Sequence, residues 1–344
     1  MSSGNLFGDA SQFQTPAASP QQHYDLRPLS TGEVLDRTFQ LYRSRFTLFA
    51  GLALLPAAVS VVTNATRLLY AAHQDQHVHV GAALYRVQIL TGVLSIVSGL
   101  ISLVLYGITQ AATTWAVSAV YLGEAASIKA AYGVAFKHWF RYTMIVLRQV
   151  WAFLWLPFML LVAAFAIPGI LGRHGGNVRW LTAALFVLAL FSMIYSVWAY
   201  IRISLAVPAA VVESLKIGAA VRRSKHLLAS RKIRIFLLLL LLFALYLVVG
   251  AIESPLLILA VRSRGAQAFI TQALNLAVSF AAGTLIAPVG AIAVCLFYFD
   301  ERVRREGFDI EWMMRKIAPA TDGEPELPPQ TLNSSTEVPN SLSR

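Results

Sequence analysis

Charge is what this chain has least of. Of its 344 residues only 13% are Asp, Glu, Lys or Arg, against about 25% in ordinary soluble domains. With 57% of the chain hydrophobic, too little polar surface is left to cover a water-soluble body of this size. Lipid must be the solvent for much of it. Cysteine is almost missing: Cys295 is the single one, which excludes an intrachain disulfide and a cysteine-built zinc cluster. Inside an apolar run it reads as a small buried hydrophobe. The constellations that carry catalysis are lacking as well. There is no HExxH, no pair of aspartates within the apolar runs, and no Ser/His or Cys/His pair at membrane depth. The expectation is a protein that is not an enzyme and has no cofactor and no metal site. Met1 to Gln22 has neither a basic opening stretch nor an apolar segment, so no cleaved signal peptide is expected. The first apolar span must direct insertion.

What is present is apolar sequence in long blocks, at about 46–70, 87–122, 142–171, 178–210, 233–261 and 268–299. A helix needs about 20 residues to cross hydrocarbon. These blocks exceed that length, which predicts tilt, kinks or extension beyond the bilayer. The second contains Gln110, Thr113 and Thr114, so its later half is expected to pack on protein. Residues 1–25 and 318–344 are Pro-, Ser- and Gln- or acid-rich, the composition of disordered tails. The expected fold class is an all-α integral membrane protein with six transmembrane helices across residues 26–317.

The 28 Lys and Arg outnumber 17 Asp and Glu. A basic balance suits nucleic acid or an anionic membrane surface; here the cations flank apolar spans and no nucleic-acid fold signature is present, so lipid headgroups are the expected partner. The segments Arg27–Arg45, Lys129–Arg148, Lys216–Arg234 and Arg302–Arg344 hold 4, 4, 7 and 6 Lys or Arg, whereas each alternating connection holds two. The positive-inside rule then places both termini in the cytoplasm, in the cell membrane of a bacterium.

Three segments share an order: a Ser opens a short amphipathic stretch that leads into a span, a loop and a second span. They start at Ser30, Ser127 and Ser214. The order predicts three repeats of an interfacial helix plus a helical hairpin. In the first, Leu35, Phe39, Tyr42 and Phe46 form one apolar face, with Asp36, Arg37, Gln40 and Arg43 opposite. Ser30 and Glu33 are spaced for a reciprocal capping box. In the second, Ala131 or Tyr132 with Ala135, Trp139 and Phe140 face the apolar side. The third is the most basic.

Two charges fall within spans, Arg202 in the fourth and Glu253 in the fifth. Charge at membrane depth marks a polar site or pathway, here with Asn64, Gln110 and Asn275 as companions, or else a snorkelling arginine and an interfacial glutamate. His73, His77 and His79 read as part of a solvated loop rather than as metal ligands. Gly92, Ser95, Gly99 and Ser102 on the second span, and Gly283, Ala287 and Gly290 on the sixth, read as close-packing stripes.

After the last span, Asp300, Glu301, Arg302, Arg304, Arg305 and Glu306 form a mixed-charge helix end closed by Gly307. With Arg27, Asp36, Arg37, Tyr42 and Arg43, and with Asp309, this end makes either an anionic-headgroup site or a salt-bridged latch between the first and last elements. The segments RPLSTGEVLDRTFQLYRSRF (27–46) and LFYFDERVRREGFDIEWM (296–313) resemble the opening and closing signatures of the glycerophosphoryl diester phosphodiesterase membrane-domain family. Weaker likeness runs through YLGEAASIKAAY (121–132). On that resemblance Arg27, Gly32, Asp36, Tyr42 and Arg43 match the front motif, and Tyr298, Asp300, Arg302, Arg304, Glu306, Gly307 and Asp309 the rear. The resemblance implies a link to glycerophosphodiester cleavage, but that activity belongs to a soluble barrel of about 250 residues for which this chain has no room. The expectation is therefore a non-enzymatic membrane module that contacts phospholipid, anionic lipid included, or a membrane protein partner through its basic face. The alternative is a transporter or channel with a polar site around Arg202.

The orientation is checkable with thiol labelling. A membrane-impermeant maleimide should modify His77→Cys in intact cells and Ala125→Cys only after permeabilisation; the reverse pattern would overturn the assigned topology.

Overall fold

A computed structural model describes residues 29–74, 82–171, 179–229, 232–263, 266–307 and 314. Arg27, His77, His79, Asp309 and both tails lie outside them. The described residues are helical throughout, in the order α1 (Thr31–Ser44), α2 (Phe46–Gln74), α3 (Ala82–Tyr121), α4 (Ile128–Lys137), α5 (Trp139–Leu171), α6 (Arg179–Ile201), α7 (Ala206–Val212), α8 (Ile217–Leu227), α9 (Lys232–Arg262) and α10 (Ala266–Glu306). The six long apolar helices required by the hydropathy pattern are present. Helices suit lipid because each satisfies its own backbone hydrogen bonds. The chain is a multi-pass helical membrane protein. The order α1–α2–α3, α4–α5–α6, α8–α9–α10 repeats a short helix followed by a long hairpin three times.

Local signals explain where the short helices begin. Ser30 caps α1: its Oγ accepts from the Glu33 amide at 3.2 Å and the Glu33 carboxylate accepts from the Ser30 amide at 2.6 Å. Ser127 caps α4, accepting from the Ala130 amide at 3.2 Å. The third repeat departs from this pattern. Ser214 is not a cap; it sits at φ +52°, and α8 starts two residues later behind Lys216. The expected apolar face of α1 is divided, with Leu35 and Tyr42 packed against the core. Val34, Thr38 and Leu41 are its buried side, whereas Phe39 and Phe46 are exposed. The helix has two apolar faces, one against protein and one turned outward, and periodicity alone registers only their sum. In α4 the split is similar: Ala131 and Ala135 are buried while Trp139 and Phe140 just beyond it are exposed.

The long helices form a closed circuit, α2–α3–α5–α6–α9–α10 and back to α2, with α3 and α10 also meeting across the middle. At about 1.5 Å per residue the 41 residues of α10 reach about twice the roughly 30 Å of hydrocarbon. The surplus projects at the basic end, where it is flanked by α1, α7 and α8. There the tight core lies. Leu29, Val34, Phe49, Ile145, Leu205, Leu227, Ile235 and Phe297–Phe299 are all at most 1% exposed. Thr113 and Thr114 are buried in the same region, as expected for the later half of the second span. Gly107 is needed for close approach, since a Cβ there would lie 3.0 Å from the Thr143 Cα of α5. The opposite end is looser. Gly92 and Gly99 are expected to be packed, yet a Cβ at either position would meet nothing within 4 Å, so that stripe does not serve helix contact. Gly283 and Gly290 do face neighbours, Ala57 and Tyr246.

Candidate functional site

Two features stand out: a charged cluster at the basic end and a pair of chambers between the helices. The cluster grows from α10, whose last turns carry Asp300 and Glu301 on its buried side. Both side chains are fully enclosed, at 0% exposure. A buried carboxylate without a partner is costly, and Arg234 near the start of α9 answers both. It reaches Asp300 Oδ2 at 2.9 Å and Glu301 Oε1 at 3.0 Å. The same guanidinium donates to the Leu29 carbonyl at 2.7 Å, and Leu29 N–H donates to Asp300 Oδ1 at 2.7 Å. Arg304 donates to both Asp300 oxygens at 3.0 Å and to the Leu29 carbonyl. The backbone just before α1 is thus clamped to α9 and α10.

A second group lies beside it. Glu213, after α7, accepts from Arg223 Nε of α8 at 2.9 Å and from the Tyr298 hydroxyl of α10. Arg223 also pairs with Glu306 at 2.6 Å, and Arg302 joins Glu306 at 3.2 Å. Burial works against the charge on Arg223, but the hydrogen bonds and charges of Glu306 and Glu213 outweigh it, so its pKa is raised. Ser224 of α8 accepts from the Leu205 amide at 3.2 Å and donates to the Arg202 carbonyl at 3.1 Å, fixing the α6–α7 turn.

Of the expected latch residues, Asp300, Arg302, Arg304 and Glu306 are gathered here. Arg37 instead bonds the Tyr121 hydroxyl, whose ring stacks on Phe299 at 5.2 Å. Asp36 and Arg43 are exposed, and the Tyr42 hydroxyl is buried with no hydrogen-bond partner among the described residues. Gly307 ends α10 at φ +62°, its amide donating to the Val303 carbonyl at 3.2 Å, as its expected capping role requires. The cluster is closer to a latch than to an anion site, because carboxylates already occupy its central guanidinium groups. Arg234, Glu213 and Arg223 were missed from sequence. Glu213 did leave a signal: it is the single acid between Glu124 and Glu253, amid the most basic stretch of the chain.

Arg202 lies in the turn after α6, inside the fourth candidate span, and its guanidinium covers the Trp198 ring at 4.5 Å. Lys232, the first residue of α9, reaches that same ring at 5.7 Å, which puts Arg202 at the basic-end boundary. Neither Arg202 nor Glu253 lines a chamber. Their proposed companions do.

Asn64, Gln110 and Asn275 share a chamber of about 670 Å³ between α2, α3 and α10, with Leu257 of α9 at its edge. Ser60, Thr109, Thr113, Gln272 and Ser279 complete its polar lining, and among the described residues no Asp, Glu, Lys, Arg or His contributes. Some of this polarity is used internally: Asn64 donates to the Ser60 carbonyl at 2.8 Å and Gln110 to the Tyr106 hydroxyl at 2.7 Å. Thr113, Gln272, Asn275 and Ser279 make no side-chain hydrogen bond within the protein among the described residues. A second chamber of about 470 Å³ lies between α3, α5, α6, α9 and α10, and it shares Tyr106, Gln110, Ala287 and Ala291 with the first. Val207 and Pro208 of α7 line its basic end.

No family model, curated protein or solved structure matches this chain. The resemblance to the glycerophosphoryl diester phosphodiesterase membrane-domain family rests on residues 27–46, 121–132 and 296–313, and none of these comparisons supports it.

Removing Arg234 takes the shared cation from two buried carboxylates and leaves Asp300 with Arg304 at 3.0 Å and Glu301 with Arg305 at 3.7 Å, so the expected loss is a part of the about 3–5 kcal/mol that breaking a buried pair costs. Arg234→Met is therefore expected to lower the thermal unfolding midpoint in detergent well below that of Arg43→Met, an exposed control. Equal midpoints would sink the clamp.

Proposed function

We propose that this protein is a membrane carrier that holds an uncharged, hydrogen-bonding small molecule between its helices and performs no bond chemistry. The setting we infer is a bacterial cell membrane, with the basic face cytoplasmic. One observation carries the reading: a chamber within the bundle presents amides and hydroxyls with spare hydrogen-bonding capacity and, among the described residues, no charged side chain. Polar groups at membrane depth need partners, and groups left without protein partners suit water or a ligand. The volume falls within the roughly 300–1,000 Å³ of small-molecule sites. Closure of the basic end by α7 favours a carrier over an open pore, because passage requires that end to rearrange. This is the transporter alternative, relocated from Arg202 to the Asn64–Gln110–Asn275 chamber.

Cysteine accessibility tests it. A cysteine ionises and reacts where water reaches it. Ser279→Cys, in the chamber, should react with a small hydrophilic methanethiosulfonate far faster than Leu285→Cys, which lies on the exposed apolar side of the same helix. Equal rates would mean that lipid fills the space, and the carrier reading would be abandoned.

Contact with anionic lipid or with a membrane partner through the basic face is a second reading. What favours it is the exposure of Phe39, Phe46, Trp139 and Phe140 beside the exposed cations Arg43, Arg45, Lys137 and Arg148, the pairing that headgroup depth selects. Reconstitution should favour vesicles rich in phosphatidylserine or phosphatidylglycerol over pure phosphatidylcholine. Indifference to lipid charge in a flotation assay would remove this reading.

A further inference from the structure

The two chambers differ in chemistry, and together they define a shape. The second is lined by Phe153, Met193, Val197, Phe236, Leu240 and Phe243 among other apolar side chains. Its tyrosine hydroxyls, Tyr200 and Tyr246, stand with Tyr106 on its lining, and its other polar side chains beyond the shared Gln110 are spent on backbone. Thr114 donates to the Gln110 carbonyl at 2.7 Å, Gln149 to the Ile203 carbonyl at 2.9 Å and Ser204 to the Ile201 carbonyl at 2.9 Å. The first chamber keeps amide and hydroxyl capacity unspent; the second keeps none of these three. The Tyr106–Gln110 pair stands where they join.

The wall of the second chamber is also incomplete. Among the described residues α9 packs on α10 but reaches neither α3 nor α5, and its contact with α6 is the thinnest in the helix circuit. Met193 of α6 and Phe236, Leu240 and Phe243 of α9 line the chamber while remaining 39–57% exposed. The chamber is thus continuous with the surface that faces lipid.

We infer that the two chambers hold one molecule, an amphiphile with an uncharged, hydrogen-bonding head and a single hydrocarbon chain. The inference rests on the carrier reading and names its ligand class. The head lies among Asn64, Asn275 and Ser279, where an ionised group would find no counter-charge among the described side chains and would be costly to bury. The chain passes the Tyr106–Gln110 constriction into the apolar chamber, where burial of methylene groups is favourable. Entry is sideways, through the α6–α9 seam, so the ligand never has to leave the bilayer.

Binding of radiolabelled monoolein to the full chain in phosphatidylcholine nanodiscs tests the proposal. Monoolein has the uncharged head and the chain, oleate the same chain with a charged head, and glycerol the head alone. Saturable monoolein binding is expected, with oleate competing about tenfold or more weakly and glycerol not competing at millimolar concentration. Gly290→Leu should fill the apolar chamber, because a Cβ there meets only the Tyr246 hydroxyl at 3.7 Å. Leu240→Trp fills it from the exposed seam and guards against a folding defect in the first variant. Each is expected to weaken monoolein about tenfold. Absent saturable binding, equal competition by oleate, effective competition by glycerol, or undiminished binding by both variants would each overturn the amphiphile. If Ser279→Cys still reacts in such a case, the carrier reading stands with a different ligand; if it does not, both fall.

Discussion

Arg234 is the interaction on which the architecture depends. Asp300 and Glu301 are enclosed to 0% exposure, a state that carboxylates tolerate only when paired and hydrogen-bonded. One guanidinium serves both, and its further hydrogen bond to the Leu29 carbonyl brings the entry to α1 against α9 and α10. Three parts of the chain more than 200 residues apart at their extremes are therefore fixed at one point. A planar fork with several donors is suited to that task; a lysine is not, since its point charge cannot satisfy two carboxylates and a carbonyl in fixed directions.

That clamp divides the molecule into two regimes. At the basic end, water-facing charges surround a protein-like core built from the surplus length of α3 and α10 and from the short helices. Toward the other end the helices diverge, and polar groups line space rather than one another. On the proposed carrier reading, the fixed end holds the helices in register, while the thin α6–α9 contact leaves a place where the wall can part. α7, seated under the second chamber, is held by α8 through Ser224 and by the Glu213 pairs. Movement at the closed end has to break those contacts first.

The sites expected from sequence fared unequally for physical reasons. The Gly307 cap and the Ser30 box rest on contacts within a few residues, so local spacing suffices to find them. Ser214 has the same residue type, yet its positive φ and the delayed start of α8 depend on Glu213 being drawn away to Arg223 and Tyr298. Arg202 was legible as a charge in an apolar block, but its depth was not. The block is broken by a turn at residues 202–205, and hydropathy averages across such a break. Asn64, Gln110 and Asn275 were legible as polar residues in spans; that they face one chamber depends on how α2, α3 and α10 are rotated.

The sequence by itself determined the solvent, the number of spans, the threefold order of short helix and hairpin, and the sidedness of positive charge, because each follows from local composition and from the cost of moving polar groups into hydrocarbon. The tertiary structure alone decided which carboxylates meet Arg234, which face of α1 is covered, and that α3 and α10 part the interior into a polar and an apolar chamber. Those outcomes depend on helix rotation and on contacts between residues far apart in the chain, and a one-dimensional pattern carries no record of either.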